Sequence, residues 1–386
     1  MSIEFAQRLK TLPPYLFVEI DKAKRAAIAE GRDVINLGIG DPDYPTHPHI
    51  IEAMKQAVEN GAYHHYALDA GMLELRQEIS KWFQARFNVA LDPNTEIYPC
   101  IGSKEGIAHF PLGVINPGDK VLLTDPAYPA YRPTIQFAGG EIISVAMQAE
   151  SGFLPDLKEI ANHKNTKMIV INYPNNPTAA VATRAFYEGL IALAKERSII
   201  ILSDMAYSEV YFDGQKPLSI FEIDGAKDVA IEFHSLSKTY YMTGWRIGWA
   251  CGNQTLVAAL GKVKSNYDSG IFSAIQAAGI AALRSPVEVT ESMRALYQER
   301  RDLLIKGLKN LGWEIDPPKA AFYVWAKLPK GFTSSMETAK AFLDKANIVA
   351  TPGNGFGEGG EGYIRMALTV EQDRINEAVN RLSKIL

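Results

Sequence analysis

Short β-branched runs alternate with helical segments through the middle of the chain, and this alternation restricts the fold more than any other feature. Lys120-Val121-Leu122-Leu123-Thr124, Lys167-Met168-Ile169-Val170-Ile171 and Ser198-Ile199-Ile200-Ile201-Leu202 are such runs. Val229 to Phe233 and Ile247 to Cys251 read as two more buried strands. Between and before them lie helical patterns. Leu75, Ile79, Phe83 and Phe87 recur every four positions, and Ala185 to Lys195 has the same character. Such alternation predicts an α/β fold, with a mostly parallel sheet covered by helices on both faces. In such sheets ligands bind beyond the carboxyl ends of the strands. Most of the polar motifs discussed below follow predicted strands directly.

After about Ser285 the pattern changes. A long helical segment, Val287 to Leu311, leads to Ala321-Phe322-Tyr323-Val324-Trp325 and a glycine-rich loop. A strand follows at Tyr363 to Leu368, and helix returns at Val370 to Leu386. We expect a large domain over residues 45–284. A smaller α+β domain is expected from residues 285–386 with the N-terminal segment, residues 1–44. A ligand cleft would lie between them.

The chain of 386 residues is long enough for two domains with substantial cores. Its 40 basic and 44 acidic residues leave a net charge of −4, which gives no footprint for nucleic acid. No stretch approaches a membrane span, and Met1 to Lys10 lacks an apolar signal core. Cys100 and Cys251 both sit in apolar, strand-like segments, as expected of reduced core thiols in a cytoplasmic protein. The histidines show no metal-ligand spacing, so no metal is expected.

Ser235-Leu236-Ser237-Lys238, with Gly244-Trp245-Arg246-Ile247-Gly248 shortly after, carries the chemistry. A lysine at a strand end can form a Schiff base with an aldehyde. Two hydroxyls and a guanidinium suit a phosphate, which Arg can grip bidentately. Aldehyde and phosphate on one small molecule describe pyridoxal 5'-phosphate (PLP). The competing reading is a surface lysine in a polar loop. Gly102-Ser103-Lys104 stands between a predicted strand, Glu96 to Ile101, and a helix. It is either an ordinary capped helix start or a second set of phosphate donors. Neither this segment nor Gly38-Ile39-Gly40 nor the loop Gly353 to Gly362 has the spacing for a nucleoside triphosphate or a dinucleotide. Asp204, at a strand end, reads as a helix cap or as a carboxylate that keeps a pyridine nitrogen protonated.

These segments, together with Tyr15-Leu16-Phe17-Val18-Glu19-Ile20, Asn172-Tyr173-Pro174-Asn175-Asn176-Pro177-Thr178 and Asn266-Tyr267-Asp268-Ser269-Gly270-Ile271-Phe272, resemble the fold-type I PLP-dependent aminotransferases. The resemblance covers nearly the whole chain and is greatest to the LL-diaminopimelate aminotransferases. It implies Lys238 as the catalytic lysine. It implies Ser103, Lys104, Tyr128, Asn176, Asp204, Tyr207, Ser235, Ser237 and Arg246 as cofactor-binding residues. Tyr128 would stack on the pyridine ring, although core packing is the commoner fate of a tyrosine, and Tyr131 reads as core.

Arg365, a charge at the centre of an apolar strand, needs an anionic partner if buried. That partner is an internal carboxylate or, as the resemblance implies, the α-carboxylate of a substrate. Tyr15, Gly40, Asn176 and Asn266 match further substrate-contacting positions. The resemblance also implies a homodimer with shared sites, Tyr66, Asn266 and Asp69 reaching into the neighbouring subunit. Asp69 stands where the diaminopimelate enzymes carry glutamate. Another departure is Ala179, where the family usually has glycine after Asn-Pro-Thr, which puts the turn geometry in question.

The expected activity is transamination of small amino-acid and 2-oxo-acid substrates, namely LL-2,6-diaminopimelate/tetrahydrodipicolinate with glutamate/2-oxoglutarate. Alternatives are an aspartate, alanine or aromatic aminotransferase, a PLP-dependent carbon–sulfur lyase, or a non-catalytic PLP-sensing module. The last usually carries an added DNA-binding segment, and this chain enters the Tyr15 segment almost at once.

Overall fold

The computed structural model describes residues 4–10, 12, 16–67 and 70–386. Its centre is a sheet of seven strands: β1 (Ile97–Cys100), β2 (Lys120–Asp125), β3 (Glu141–Ala146), β4 (Thr166–Asn172), β5 (Ile200–Asp204), β6 (Ala230–Ser235) and β7 (Gly248–Gly252). Their spatial order is β1-β7-β6-β5-β4-β2-β3. The five strands from β3 to β6 run parallel, and β7 is antiparallel to both its neighbours. The α/β reading of the sequence and the sheet agree.

The sequence reading ends several strands one or two residues early. Asp125, Asn172, Asp204 and Ser235 are polar, yet each closes a strand as its last residue. Parallel neighbours keep the ladder going past the apolar run: Asn172 is in register with Asp204, and Asp204 with Phe233. Asn172, Asp204 and Ser235 therefore end three adjacent parallel strands at one edge of the sheet.

Helices cover the sheet. In α1 (Leu73–Phe87) the predicted stripe Leu75, Ile79, Phe83 and Phe87 is buried in the main core. Helix α2 (Ser103–Val114) starts directly after β1, from Gly102 in a left-handed conformation. Helix α3 (Arg184–Arg197) buries Phe186, Leu190 and Ile191 in the same core as α1.

A separate apolar cluster joins α4 (Val287–Asn310) and α5 (Gln372–Leu382) to a three-stranded antiparallel sheet. Its strands are β8 (Tyr323–Lys327), β9 (Thr351–Pro352) and β10 (Tyr363–Ala367) in the order β9-β10-β8. The N-terminal segment packs here. Ile35–Asn36 pairs in parallel with Ile348–Val349, and Leu37 joins the cluster. Ala367 N donates to Leu37 O, Thr351 Oγ1 to Gly38 O, and Thr369 Oγ1 to Ile39 O. These bonds lay residues 37–40 along the small sheet and carry Gly40 to the cleft.

His64 closes a 3-10 turn, Gly61–His64, and His65 follows it. Ala179 adopts φ +60, a left-handed conformation that glycine takes without strain.

Candidate active site

A cavity of about 310 Å³ opens at the carboxyl edge of the large sheet. Twelve residues singled out by sequence line it: Gly40, Ser103, Lys104, Tyr128, Asn176, Asp204, Tyr207, Ser235, Ser237, Lys238, Arg246 and Arg365. They come from the first turn of α2, the loop after β2, the ends of β5 and β6 and the turns just beyond them, the loop before β7, the Asn-Pro-Thr turn, the N-terminal segment and β10. Asn266 and Tyr66 are exposed and lie outside the cavity of their own chain. Tyr15 and Asp69 lie outside the described residues.

Lys238 sits in the short helical turn Leu236–Thr239, started by Ser235, whose hydroxyl accepts from Ser237 N at 3.2 Å. Its Nζ donates to Gly40 O at 3.1 Å. Burial pushes this ammonium down to about 8; Asp41 opposes the shift, while Arg246 and Arg365 add to it. A lysine so placed is ready to lose its proton near neutral pH.

At one end of the cavity lies an anion cup. Ser103, Ser235 and Ser237 supply hydroxyls, and the first turn of α2 brings backbone N–H groups and a positive dipole end. Arg246 completes it, with Nη1 donating to Thr243 O at 2.8 Å and reaching Ser237 Oγ at 3.5 Å. Arg246 has φ +57, a strained conformation of the kind held at functional sites. Gly102 allows the close approach: a Cβ there would stand 2.3 Å from Arg246 Nη2, and φ is +75.

Asp204 also lines the cavity and is buried. Its Oδ2 accepts from the Tyr131 hydroxyl at 2.7 Å and its Oδ1 from Ala206 N at 3.1 Å. No helix follows Asp204 directly: its bond to Ala206 N closes a turn, so it is not the helix cap that the sequence offered as one reading. Burial pushes its carboxyl up, and the Tyr131 and Ala206 hydrogen bonds only partly restore it. A cation in the cavity would keep it ionised.

Arg365 comes from β10. It donates to Asn176 Oδ1 and to Gly38 O, each at 2.7 Å, and its guanidinium lies 4.2 Å from the ring centre of Tyr323. Asn176, with Oδ1 engaged, keeps its amide nitrogen as the group for a ligand. Its backbone N donates to Asn172 Oδ1 at 2.8 Å. The Tyr207 and Tyr323 hydroxyls are 2.8 Å apart. Gly40 is tightly required, since a Cβ there would meet the Tyr323 hydroxyl at 2.2 Å.

Sequence reasoning missed Tyr131, Asn172, Thr243 and Tyr323, which also line the cavity. Tyr131 belongs to the core, as its reading expected, but its hydroxyl also serves Asp204. Asn172 was visible as the polar residue closing a strand. Tyr323 carried no signal, because only the packing of β8 brings it near Tyr207.

Glu105, His109 and Asp268 place three possible ligand atoms within 4.8 Å of one another. The Lys264 ammonium already bridges Glu105 and Asp268, at 2.8 and 3.0 Å, and supplies the positive charge this group needs.

The donor set fits PLP: an anion cup for its phosphate, a buried carboxylate for its pyridine nitrogen, and a lysine between them for its aldehyde. A mostly parallel sheet with this arrangement at its carboxyl edge defines a PLP-dependent enzyme of fold type I. Residues 32–382 match the family model for aminotransferase class I and II, and the chain belongs to that family. It is 55% identical to an LL-diaminopimelate aminotransferase of Nitratidesulfovibrio vulgaris, with 100% of both chains covered. An LL-diaminopimelate aminotransferase of Aquifex aeolicus is 54% identical over 99% of each chain. Among solved structures, apo-BacF of Bacillus subtilis superposes with a TM-score of 0.96 at 37% identity, covering 100% of this chain and 98% of that one. An aspartate aminotransferase mutant of Thermus thermophilus gives 0.94 at 28% identity, covering 100% of both.

Proposed function

We propose that this aminotransferase moves an amino group between LL-2,6-diaminopimelate/tetrahydrodipicolinate and glutamate/2-oxoglutarate, a reaction of lysine biosynthesis. The observation that carries the substrate is the full-length identity, above one half, to relatives named for diaminopimelate. PLP, when bound, supplies an aldehyde for the amino group and an electron-withdrawing ring that stabilises negative charge on the substrate α-carbon.

In this reading each side chain has one task. Ser103, Lys104, Ser235, Ser237 and Arg246 hold the phosphate. Asp204, oriented by Tyr131, holds a proton on the ring nitrogen. Tyr128 covers the ring, while Asn176 and Tyr207 orient its hydroxyl side. Arg365 and the backbone at Gly40 seat the substrate α-carboxylate, and Tyr15 contacts the substrate. The Lys238 amine would take up the substrate α-proton and give it back two atoms along, on the far side of the amino nitrogen.

The active form is a homodimer with shared sites. Gly270 packs against the carbonyl of Ala67, and Gln276 ties Met72 N to Ile271 O, so the Tyr66 and Asn266 segments form one surface. Tyr66, 81% exposed, and Tyr267, 65% exposed, stand on it, as a face that pairs with a second subunit requires. The substrate cleft separates residues 45–284 from residues 1–44 with 285–386. The buried free thiols Cys100 and Cys251 suit the reducing cytoplasm.

The test is half-transamination with LL-diaminopimelate, glutamate, aspartate, alanine and phenylalanine. Conversion by the first two alone is expected; preference for aspartate or phenylalanine overturns the substrate. Diaminopimelate carries a distal ammonium, and Asp69 is the anion we assign to it across the dimer. Asp69→Asn should then weaken LL-diaminopimelate by roughly 2–5 kcal/mol in kcat/KM and leave glutamate nearly unchanged.

A further inference from the structure

Helix α2 presents a problem at its phosphate-binding end. Glu105 is the third residue of the helix, and its Oε2 accepts from Ile101 N at 2.9 Å, folding the carboxylate back over the helix start. A carboxylate in the first turn stabilises the helix itself but repels an anion bound at the same end. Lys264 answers this charge. It is 1% exposed, and its Nζ donates to Glu105 Oε2 at 2.8 Å and to Asp268 Oδ2 at 3.0 Å. Asp268 is held in turn, its Oδ1 accepting from Gly270 N at 2.8 Å. The remaining groups around Glu105 are His109, whose Nδ1 contacts Oε1, and Cys100 nearby. Burial alone would push the Lys264 ammonium down, but the paired Glu105 and Asp268 carboxylates reverse this and hold it above its usual range, so it stays charged.

We infer that Lys264 is a positioning residue for the cofactor: its buried ammonium cancels the Glu105 charge under the anion cup and thereby sets the affinity for the PLP phosphate. The inference rests on the reading that the phosphate lies at the start of α2. It touches no reacting atom and differs from the cup residues in acting through Glu105.

The experiment measures PLP and pyridoxal dissociation constants on apoenzyme by fluorescence, for wild type, Lys264→Met, Glu105→Gln, the double variant and Arg246→Met. Lys264→Met should weaken PLP roughly tenfold, as an uncompensated carboxylate in a partly buried site would. Pyridoxal, which lacks the phosphate, should change little. Adding Glu105→Gln to Lys264→Met should restore most of the PLP binding, because the carboxylate in the first turn of α2 is gone and only Asp268, which lies outside that helix, stays uncompensated. Equal weakening of PLP and pyridoxal, or no rescue in the double variant, overturns the inference and leaves Lys264 a structural brace. If Arg246→Met leaves PLP binding unchanged, the phosphate is not in this cup, and the site reading fails instead. If Arg246→Met weakens PLP but Lys264→Met does not, only the inference about Lys264 fails.

Discussion

At Lys238 burial and function pull in the same direction. The folded chain favours the neutral amine, with the ammonium pushed down to about 8 from 10.5. In cofactor-free protein the unfolded state therefore binds more protons between these values, and stability rises with pH across that window. Lys238→Met should be more stable than wild-type apoenzyme at pH 7, by up to about 3 kcal/mol, with the gap closing towards pH 10.5. Calorimetry across that range checks the sign; a gap independent of pH contradicts it. Lys238→Ala should lose turnover by roughly 10³-fold or more, since its proton-transfer group is gone, while PLP still binds through the cup. Near-normal half-reaction rates would refute the role. Asp204→Ala should cost turnover far more than cofactor affinity. Tyr131→Phe, which removes one donor to Asp204, should cost about 1 kcal/mol of stability and shift activity in the same direction but less.

Two left-handed residues set the geometry of the elements around the site. Gly102 opens α2 beside the Arg246 guanidinium. Gly102→Ala adds a methyl where no space exists and strains φ +75, so Arg246 must move. We expect PLP affinity to drop roughly tenfold while circular dichroism stays native, given the value of a charge-assisted contact. Ala179 holds the turn after Asn-Pro-Thr at φ +60 and is buried against the C-terminal cluster. Ala179→Gly should be tolerated within about 1 kcal/mol, because relief of strain offsets the lost methyl contact. Ala179→Val should cost about 2 kcal/mol or more, a branched side chain being incompatible with that conformation. Denaturant midpoints for the two variants test the ordering.

At the scale of the whole molecule the site is a meeting of distant segments. Arg365 reaches Gly38 and Asn176 across 327 and 189 residues of sequence. If the Tyr66 face completes the neighbouring site, Lys238→Ala and Tyr66→Ala chains should complement each other. Each mixed dimer then holds one intact site, and co-refolding equal amounts should recover roughly a quarter of wild-type activity. Sedimentation should show a dimer throughout; a fully active monomer would dismiss shared sites.

Local patterns in the sequence carried the strand–helix alternation, the apolar stripe of α1 and the polar residues that follow β-branched runs. Those signals depend on periodicity and on the chemistry of neighbouring residues, so they were legible without coordinates. The same is true of Lys238 with its flanking hydroxyls and of Asp204 at a strand end. Folding alone decided which strands adjoin, and hence that Asn172, Asp204 and Ser235 share one edge. It also decided that Tyr131 serves Asp204, that Tyr323 meets Tyr207, and that Lys264 lies beneath Glu105. These contacts join residues dozens to hundreds of positions apart, and their energy comes from burial, which no local spacing encodes.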